Sequence, residues 1–297
     1  MAEICPTAGV ERVLLSTDGS EFSEGAVREA IGLARKCGSH LTALSVIDTN
    51  PELDTLAPQI VEKKGKEARQ NLDAVQARAK NEGVACSTVI REGEDAYQYI
   101  VDEAVKDKSS VIVMGRRGRT GLKRLMMGSV TARVIGHAPC NVLVVPRAAR
   151  LGFSNIVVAS DGSKHSVAAA SEAIGLAKRN GSMLTVVSVV PSEIATPVDI
   201  DFTVSQRELI AEKEMQEAEK NARAVKDASQ KEDVSVKALI MSGKPADAII
   251  EIARERRAEL IVLGSHGRTG IERLLMGSVA ERVIVLASCP VLVVKSR

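Results

Sequence analysis

The stretch MGRRGRTGLKRLMMGSVTARVI, residues 114–135, returns nearly unchanged as LGSHGRTGIERLLMGSVAERVI, residues 263–284. Each copy ends a short apolar run, then places two glycines three apart (Gly115 and Gly118; Gly264 and Gly267) and a third ten residues later (Gly128; Gly277), followed by serine. Glycine permits positive φ and close approach of backbone to a ligand. Several amides can then converge on an anion, where the partial positive charge of a helix N-terminus adds to them. Ser129 and Ser278 can cap the helix that follows and bond a phosphate oxygen. The plainer reading is a turn and a helix cap with glycines for packing, and recurrence of the same spacing weighs against it. The loop is not a Walker A sequence, since Met127 and Gly128 rather than lysine precede Ser129, and it is not G-x-G-x-x-G either.

Outward from this loop the whole chain repeats. VERVLLSTDGSEFSEGAVREAIGLARKCGSHLTALSVID starts at Val10, and FSNIVVASDGSKHSVAAASEAIGLAKRNGSMLTVVSVV starts at Phe153. A period of about 145 residues is far beyond solenoid repeats and implies two whole domains, 1–148 and 149–297. In the first, strands are expected at 12–16, 41–47, 85–91, 111–114 and 142–145, with helices at 23–37, 59–81, 95–106 and 129–137. The second repeats them: strands at 155–159, 184–190, 234–241, 260–263 and 291–294, helices at 166–179, 205–229, 246–256 and 278–286. Alternating strands and helices give an α/β fold, each domain a parallel sheet covered on both faces. The junction PRAARLGFS is short, so the halves should sit close together. A Pro-punctuated acidic loop is expected after Val189.

Composition narrows the function. Lys plus Arg is 40 and Asp plus Glu is 38, which argues against a dedicated nucleic-acid or polybasic membrane protein. The aromatics are only Phe22, Tyr97, Tyr99, Phe153 and Phe202, so a base-stacking platform is not expected. Cys5, Cys37, Cys86, Cys140 and Cys289 are odd in number and form no C-x-x-C pair; the reading is reduced thiols in a cytoplasmic setting. His40, His137, His165 and His266 make no helical metal pair. The first residues do not read as a signal peptide, and no apolar run approaches the ~18–20 residues that span a bilayer.

G-x-x-G, nine residues, then Gly-Ser after a strand, paired with an early TDGS or SDGS, resembles the universal stress protein family, once per half. The resemblance implies a five-stranded parallel sheet in order 3-2-1-4-5, with a ligand site where the order reverses between strands one and four. It also implies ATP, with Mg²⁺ arriving on the phosphates. Adenosine would lie near the strand-one Asp and a strand-two Val, with phosphates on the glycine loop. Carried over, that assigns Thr17, Asp18, Val46, Gly115, Gly118, Arg119, Gly128 and Ser129 in the first half, and Asp161, Val189, Gly264, Gly267, Arg268, Gly277 and Ser278 in the second. Asp18 and Asp161 can equally make an Asx-turn or cap the next helix, Val46 and Val189 are also core candidates, and Arg119 and Arg268 can bind phosphate or lie solvated. The implied role is a stress-response nucleotide sensor with slow or no hydrolysis. Alternatives are a hydrolase or transferase on a related fold, or a partner-binding module with empty loops. No in-line catalytic set is evident, so no catalytic residue is assigned.

Two further expectations concern assembly and asymmetry. The valine-rich edges NVLVVP (141–146) and PVLVVK (290–295) invite pairing, so the halves should join as an intramolecular pseudo-dimer that can dimerise further. Arg116-Arg117 stand where the second copy has Ser265-His266. If these side chains reach the phosphates, the first site carries two fixed charges and the second at most one, on a protonated histidine. A branched side chain at Gly128 or Gly277 should block the loop, by filling the amide cradle and disfavouring positive φ.

Overall fold

A computed structural model of the chain describes residues 5–7, 9–118, 127–191, 204–268 and 276–296. The acidic loop expected after Val189 lies largely outside them. Short apolar runs with no polar face fold as the buried inner strands, while those at the sheet's two ends, Cys86–Gly93 and Val236–Gly243, contain no fully buried residue. In the first half β1 is Arg12–Ser16, β2 His40–Asp48, β3 Cys86–Gly93, β4 Val111–Gly115 and β5 Asn141–Val145. In the second, β6 is Asn155–Ala159, β7 Met183–Pro191, β8 Val236–Gly243, β9 Leu260–Gly264 and β10 Val291–Val294. The amphipathic segments between them form α1 (Glu24–Cys37), α3 (Pro58–Asn81), α4 (Ala96–Lys106) and α5 (Ser129–His137), then α6 (Lys164–Asn180), α7 (Val204–Lys231), α8 (Pro245–Glu255) and α9 (Ser278–Leu286). A short helix, α2 (Pro51–Leu56), precedes α3 and was not expected. Gly38 and Gly181 close α1 and α6 in the left-handed conformation, φ 62° and 61°, where a glycine cap costs no Cβ clash.

The order 3-2-1-4-5 is found in each half, but the two sheets are one. Ten strands run β3-β2-β1-β4-β5-β10-β9-β6-β7-β8, parallel within each half. At the centre β5 and β10 pair antiparallel, Leu143 opposite Leu292 and Val142 opposite Val293. The valine-rich edges therefore satisfy each other, as the pseudo-dimer expectation held. Alternation on the strands feeds two apolar layers, each continuous across both halves. Val13 and Leu15 point into one, with Leu143, Leu292 and Val158; Leu14 points into the other, with Ile112, Val142, Val293 and Val157. Removing a fully buried leucine such as Leu14 would cost roughly 2–5 kcal/mol.

Polar contacts tie the halves further. Arg116, in the first glycine loop, donates through Nη1 to the carbonyls of Val285 (2.7 Å) and Ala287 (3.0 Å) at the C-terminus of α9. Reciprocally, Lys295 donates through Nζ to the carbonyls of Ile135 (2.9 Å) and Gly136 (3.1 Å) at the C-terminus of α5. Each cation meets the negative end of a helix belonging to the other half. The junction is packed rather than slack: Arg28 donates to the Ala149 carbonyl, and a Cβ on Gly25 would stand 2.6 Å from the Pro146 carbonyl oxygen.

The cysteine reading needs correction. Cys5 and Cys37 form a disulfide, closing a loop of sequence separation 32 between the N-terminal segment and the end of α1. Pairing was not legible because the partners share no motif; the fold brings the N-terminal segment back against α1. Cys86, Cys140 and Cys289 remain thiols, and burial pushes the Cys289 thiol up to about 11. Among the described residues no helix is long and apolar enough to cross a membrane.

Candidate functional site

β1 and β4 are neighbours, and β2 lies on β1's other side, so the crossovers from β1 and β4 leave in opposite directions. Where they part, beyond the strands' carboxyl ends, a cleft is a geometric necessity. In the first half it is a cavity of about 350 Å³. It gathers Thr17, Asp18, Val46, Gly115, Gly118, Gly128 and Ser129, which is every expected first-half residue except Arg119. Arg119 lies outside the described residues. Buried Ala68, Ile100 and Met114 join Val46 to make an apolar floor, while Lys64, Asp48 and Arg117 stand with the loop backbone at the polar wall.

The DGS turn is shaped by its own side chains. The Asp18 carboxylate accepts from the Ser20 backbone N–H (3.0 Å) and hydroxyl (2.7 Å), an Asx-turn rather than a helix cap, since Ser23 is the N-cap of α1. Thr17, which is buried, bonds the Gly19 N–H (3.1 Å) and the Ser23 hydroxyl (2.9 Å), so its side chain is committed to the turn. Gly19 has φ 71° and faces Asn71 of α3 so closely that a Cβ would collide with it. Its counterpart Gly162 has φ 80° and faces Asn221 of α7 in the same way.

The glycine loop works differently from expectation. None of its described glycines is among those with positive φ; Gly128 and Gly277 are extended at −64° and −69°. What the early glycines provide is closeness. A Cβ on Gly118 would lie 2.8 Å from Asp18 Oδ2, and one on Gly267 would lie 2.7 Å from Asp161 Oδ2. Gly115 lies against the Phe22 carbonyl, with 3.0 Å left for a Cβ, and Gly264 against His165, with 2.6 Å. Gly128 and Gly277 have ordinary room, at 3.6 Å and 3.4 Å, so substitution there would intrude on the loop's concavity without straining the backbone. Ser129 and Ser278 are the first residues of α5 and α9 rather than their caps, and among the described residues no side chain caps either helix. Behind the loop, the Thr131 hydroxyl donates to the Gly115 carbonyl (3.1 Å).

In the second half a cavity of about 240 Å³ gathers Asp161, Val189, Gly264, Gly267, Arg268, Gly277 and Ser278, all the residues expected there. Burial alone would raise the Asp161 carboxyl. Hydrogen bonds from Ser163, Ser166 and the Arg268 N–H outweigh it and hold the group below the ordinary carboxylate range. The Arg268 side chain turns away to α7, pairing with Glu214 (2.8 Å) and Glu217 (2.7 Å).

The two-charge expectation for the first site fails at Arg116, whose guanidinium leaves the loop for the C-terminus of α9; only Arg117 of the pair lines the cavity. The charge that sequence reasoning missed is Lys64 of α3, which donates to the Asp48 carbonyl (2.9 Å) at the cavity wall. Its spacing was a usable signal, because Lys64, Ala68 and Leu72 recur every four residues on one helix face.

Comparison with known proteins follows the same division of the chain. The family model described as the universal stress protein family matches residues 9–146 and again 152–295. A universal stress protein of Methanocaldococcus jannaschii is 40% identical over 143 residues, spanning 48% of this chain and 82% of its own length. One from Mycolicibacterium smegmatis is 28% identical over 301 residues, spanning 96% of this chain and 97% of its own. The crystal structure of a universal stress protein from Archaeoglobus fulgidus superposes with a TM-score of 0.73 at 24% identity, covering 96% of each chain, a likeness of fold. The chain therefore belongs to the universal stress protein family, as a tandem of two such domains joined through one sheet.

Proposed function

We propose that the chain is an adenine-nucleotide sensor, binding ATP with Mg²⁺ at the β1/β4 switch point of the first half and at the equivalent β6/β9 point of the second, with domains at 1–148 and 149–297. One observation carries this reading: a single cavity collects the described first-half residues that motif and resemblance had assigned separately. Its volume, about 350 Å³, falls in the range of small-molecule sites. Its chemistry suits the ligand, with an apolar floor of Val46, Ile100 and Met114 for a base and a wall of Gly118, Gly128, Ser129, Lys64 and Arg117 for phosphates. Among the described residues no cluster of three or more His, Cys, Asp or Glu could hold a metal, so Mg²⁺ would be held mainly through nucleotide phosphates. Within this reading the chain acts by occupancy in the cytoplasm, and no residue is assigned a catalytic step. The test is calorimetry of Mg-ATP with the full chain beside the Gly128→Val/Gly277→Val variant. Binding to the native protein that is lost in the folded variant supports the assignment. Equal binding by both removes the phosphate-loop assignment, and turnover abolished by the same substitutions would turn the reading into a hydrolase.

A further inference from the structure

The second cavity opens past Asp161 into a groove of about 580 Å³, walled by the β6–α6 turn, by α7 and by the loop after β9. Lys164, His165, Lys220, His266 and Arg268 all line it. The facing acids are Asp161, which accepts from the Ser163 and Arg268 backbone N–H groups, and Glu217, which together with Glu214 of the same helix pairs with Arg268. The groove's charge is particular to this half. Counting from the matched DGS turns, and from Asn71 and Asn221 that face them, the first half has Glu21, Phe22 and Gln70 where the second has Lys164, His165 and Lys220. Both lysines are exposed, free of the packing that would make them structural.

His165 sits at the inner wall of the groove beside a second histidine. Its ring lies 5.2 Å from that of His266, and its Nδ1 sits 2.9 Å from the Ser296 hydroxyl and 3.4 Å from that of Ser265. Burial first, then the charges of His266, Lys164 and Lys295, lowers its proton affinity, against a smaller opposing effect of Asp161. Glu217, Lys220 and Arg268 face it across the groove. Arg268 is already paired with Glu214 and Glu217, so Lys164 and Lys220 are the cations the groove offers to an anion, with His165 joining them when protonated.

We propose that the groove is a polyphosphate-binding subsite of the second half, gripped by Lys164, Lys220 and His165. Because it shares Asp161, His266, Gly267 and Arg268 with the adjoining cavity, the polyphosphate can be the tail of a nucleotide seated there or a free chain. The inference goes beyond the nucleotide reading, since it rests on the groove's own charge.

The experiment is calorimetry of the full chain with inorganic tripolyphosphate, with ATP and with adenosine. The native protein should bind tripolyphosphate, and Lys164→Gln/Lys220→Gln should weaken it about tenfold while leaving adenosine unchanged. Glu217→Gln, which removes a competing carboxylate, should tighten it. Lowering the pH from 8 to 6 should strengthen tripolyphosphate binding more in the native protein than in His165→Phe, which carries the first half's residue. If ATP also weakens in the lysine variant and competes with tripolyphosphate, the source is a nucleotide tail; if it does neither, the source is a free chain. Tripolyphosphate that fails to bind, or binds the native and lysine-variant proteins equally, overturns the proposal. ATP that binds nowhere while tripolyphosphate binds as described overturns the nucleotide reading alone.

Discussion

At the scale of single residues, the loop glycines divide into two kinds with different consequences. Gly118 leaves no room for a methyl group: its Cβ would press on Asp18 Oδ2 at 2.8 Å, and Asp18 is pinned by two bonds from Ser20. Gly118→Ala should therefore destabilise the fold by roughly 1–3 kcal/mol. Adding Asp18→Ala should return part of that loss, because the clash disappears with the carboxylate. Gly128→Ala, with ordinary contacts and φ −64°, should lie within about 0.5 kcal/mol of the native protein. Urea denaturation of the three variants checks the pattern, and equal losses at Gly118 and Gly128 would refute it. The sequence pointed to these glycines, but positive φ is not their reason at the described positions, since spacing reports a need for small residues without distinguishing a positive φ from a near neighbour. Asp161 adds a pH dependence. Its carboxyl titrates below its unfolded value, so the unfolded chain binds the proton more readily. The resulting stability is present above the ordinary carboxylate pKa, ~3.9, and is lost as pH falls through the lower folded value. Melting temperature should fall less steeply between pH 5 and 3 in Asp161→Asn than in the native protein; parallel curves would deny Asp161 that role.

At the scale of elements, the strands were legible because burial on both faces leaves runs such as VIVM and LIVL that have no other use. The helices were legible from their periodicity, to within about two residues at their ends. Features that depend on what the other half places nearby were not. Arg116 is the clearest case: beside Arg117 and between two loop glycines it reads as a phosphate ligand, yet its guanidinium reaches carbonyls some 170 residues away in sequence, at the end of α9. Lys295 is hidden for the same reason, while the disulfide lies within the first half and is hidden because its two cysteines are 32 residues apart and share no motif. Arg116 thus links the two sites physically, its backbone shaping the first glycine loop through the Gly128 N–H (3.0 Å) while its side chain caps a helix that begins at the second. Arg116→Met keeps the length of the side chain and removes the donors. It should cost about 1–3 kcal/mol, since it strips hydrogen bonds from partly buried carbonyls and a cation from a helix C-terminus. Thermal denaturation reads this directly, and an unchanged midpoint would mean that water replaces the guanidinium without loss.

At the scale of the whole molecule, the antiparallel seam between β5 and β10 makes one object of two repeats. Neither strand is an edge in the folded chain, and both are buried along nearly their whole length: Val142 to Val145 on one side, Val291 to Val294 on the other. Both apolar layers continue across the seam, so separating the halves would expose β5's backbone edge and the side chains on both its faces. An uncovered, valine-rich edge with no charge within it pairs with whatever strand is offered. A fragment of residues 1–148 keeps the strand order β3-β2-β1-β4-β5 and every described first-half cavity residue, so it should fold. It should not stay alone. Its β5 can meet a second β5 antiparallel about a two-fold axis, copying the Leu143–Leu292 pairing with Leu143 opposite Leu143. Sedimentation of the fragment should therefore give a dimer of about the intact chain's 31.6 kDa. Leu143→Lys, which places like charges across the new seam, should return it to monomer. A native fragment that remains folded and monomeric at tens of micromolar would show that the seam adds little, and that the bond between the halves resides in the Arg116 and Lys295 caps and the packed junction.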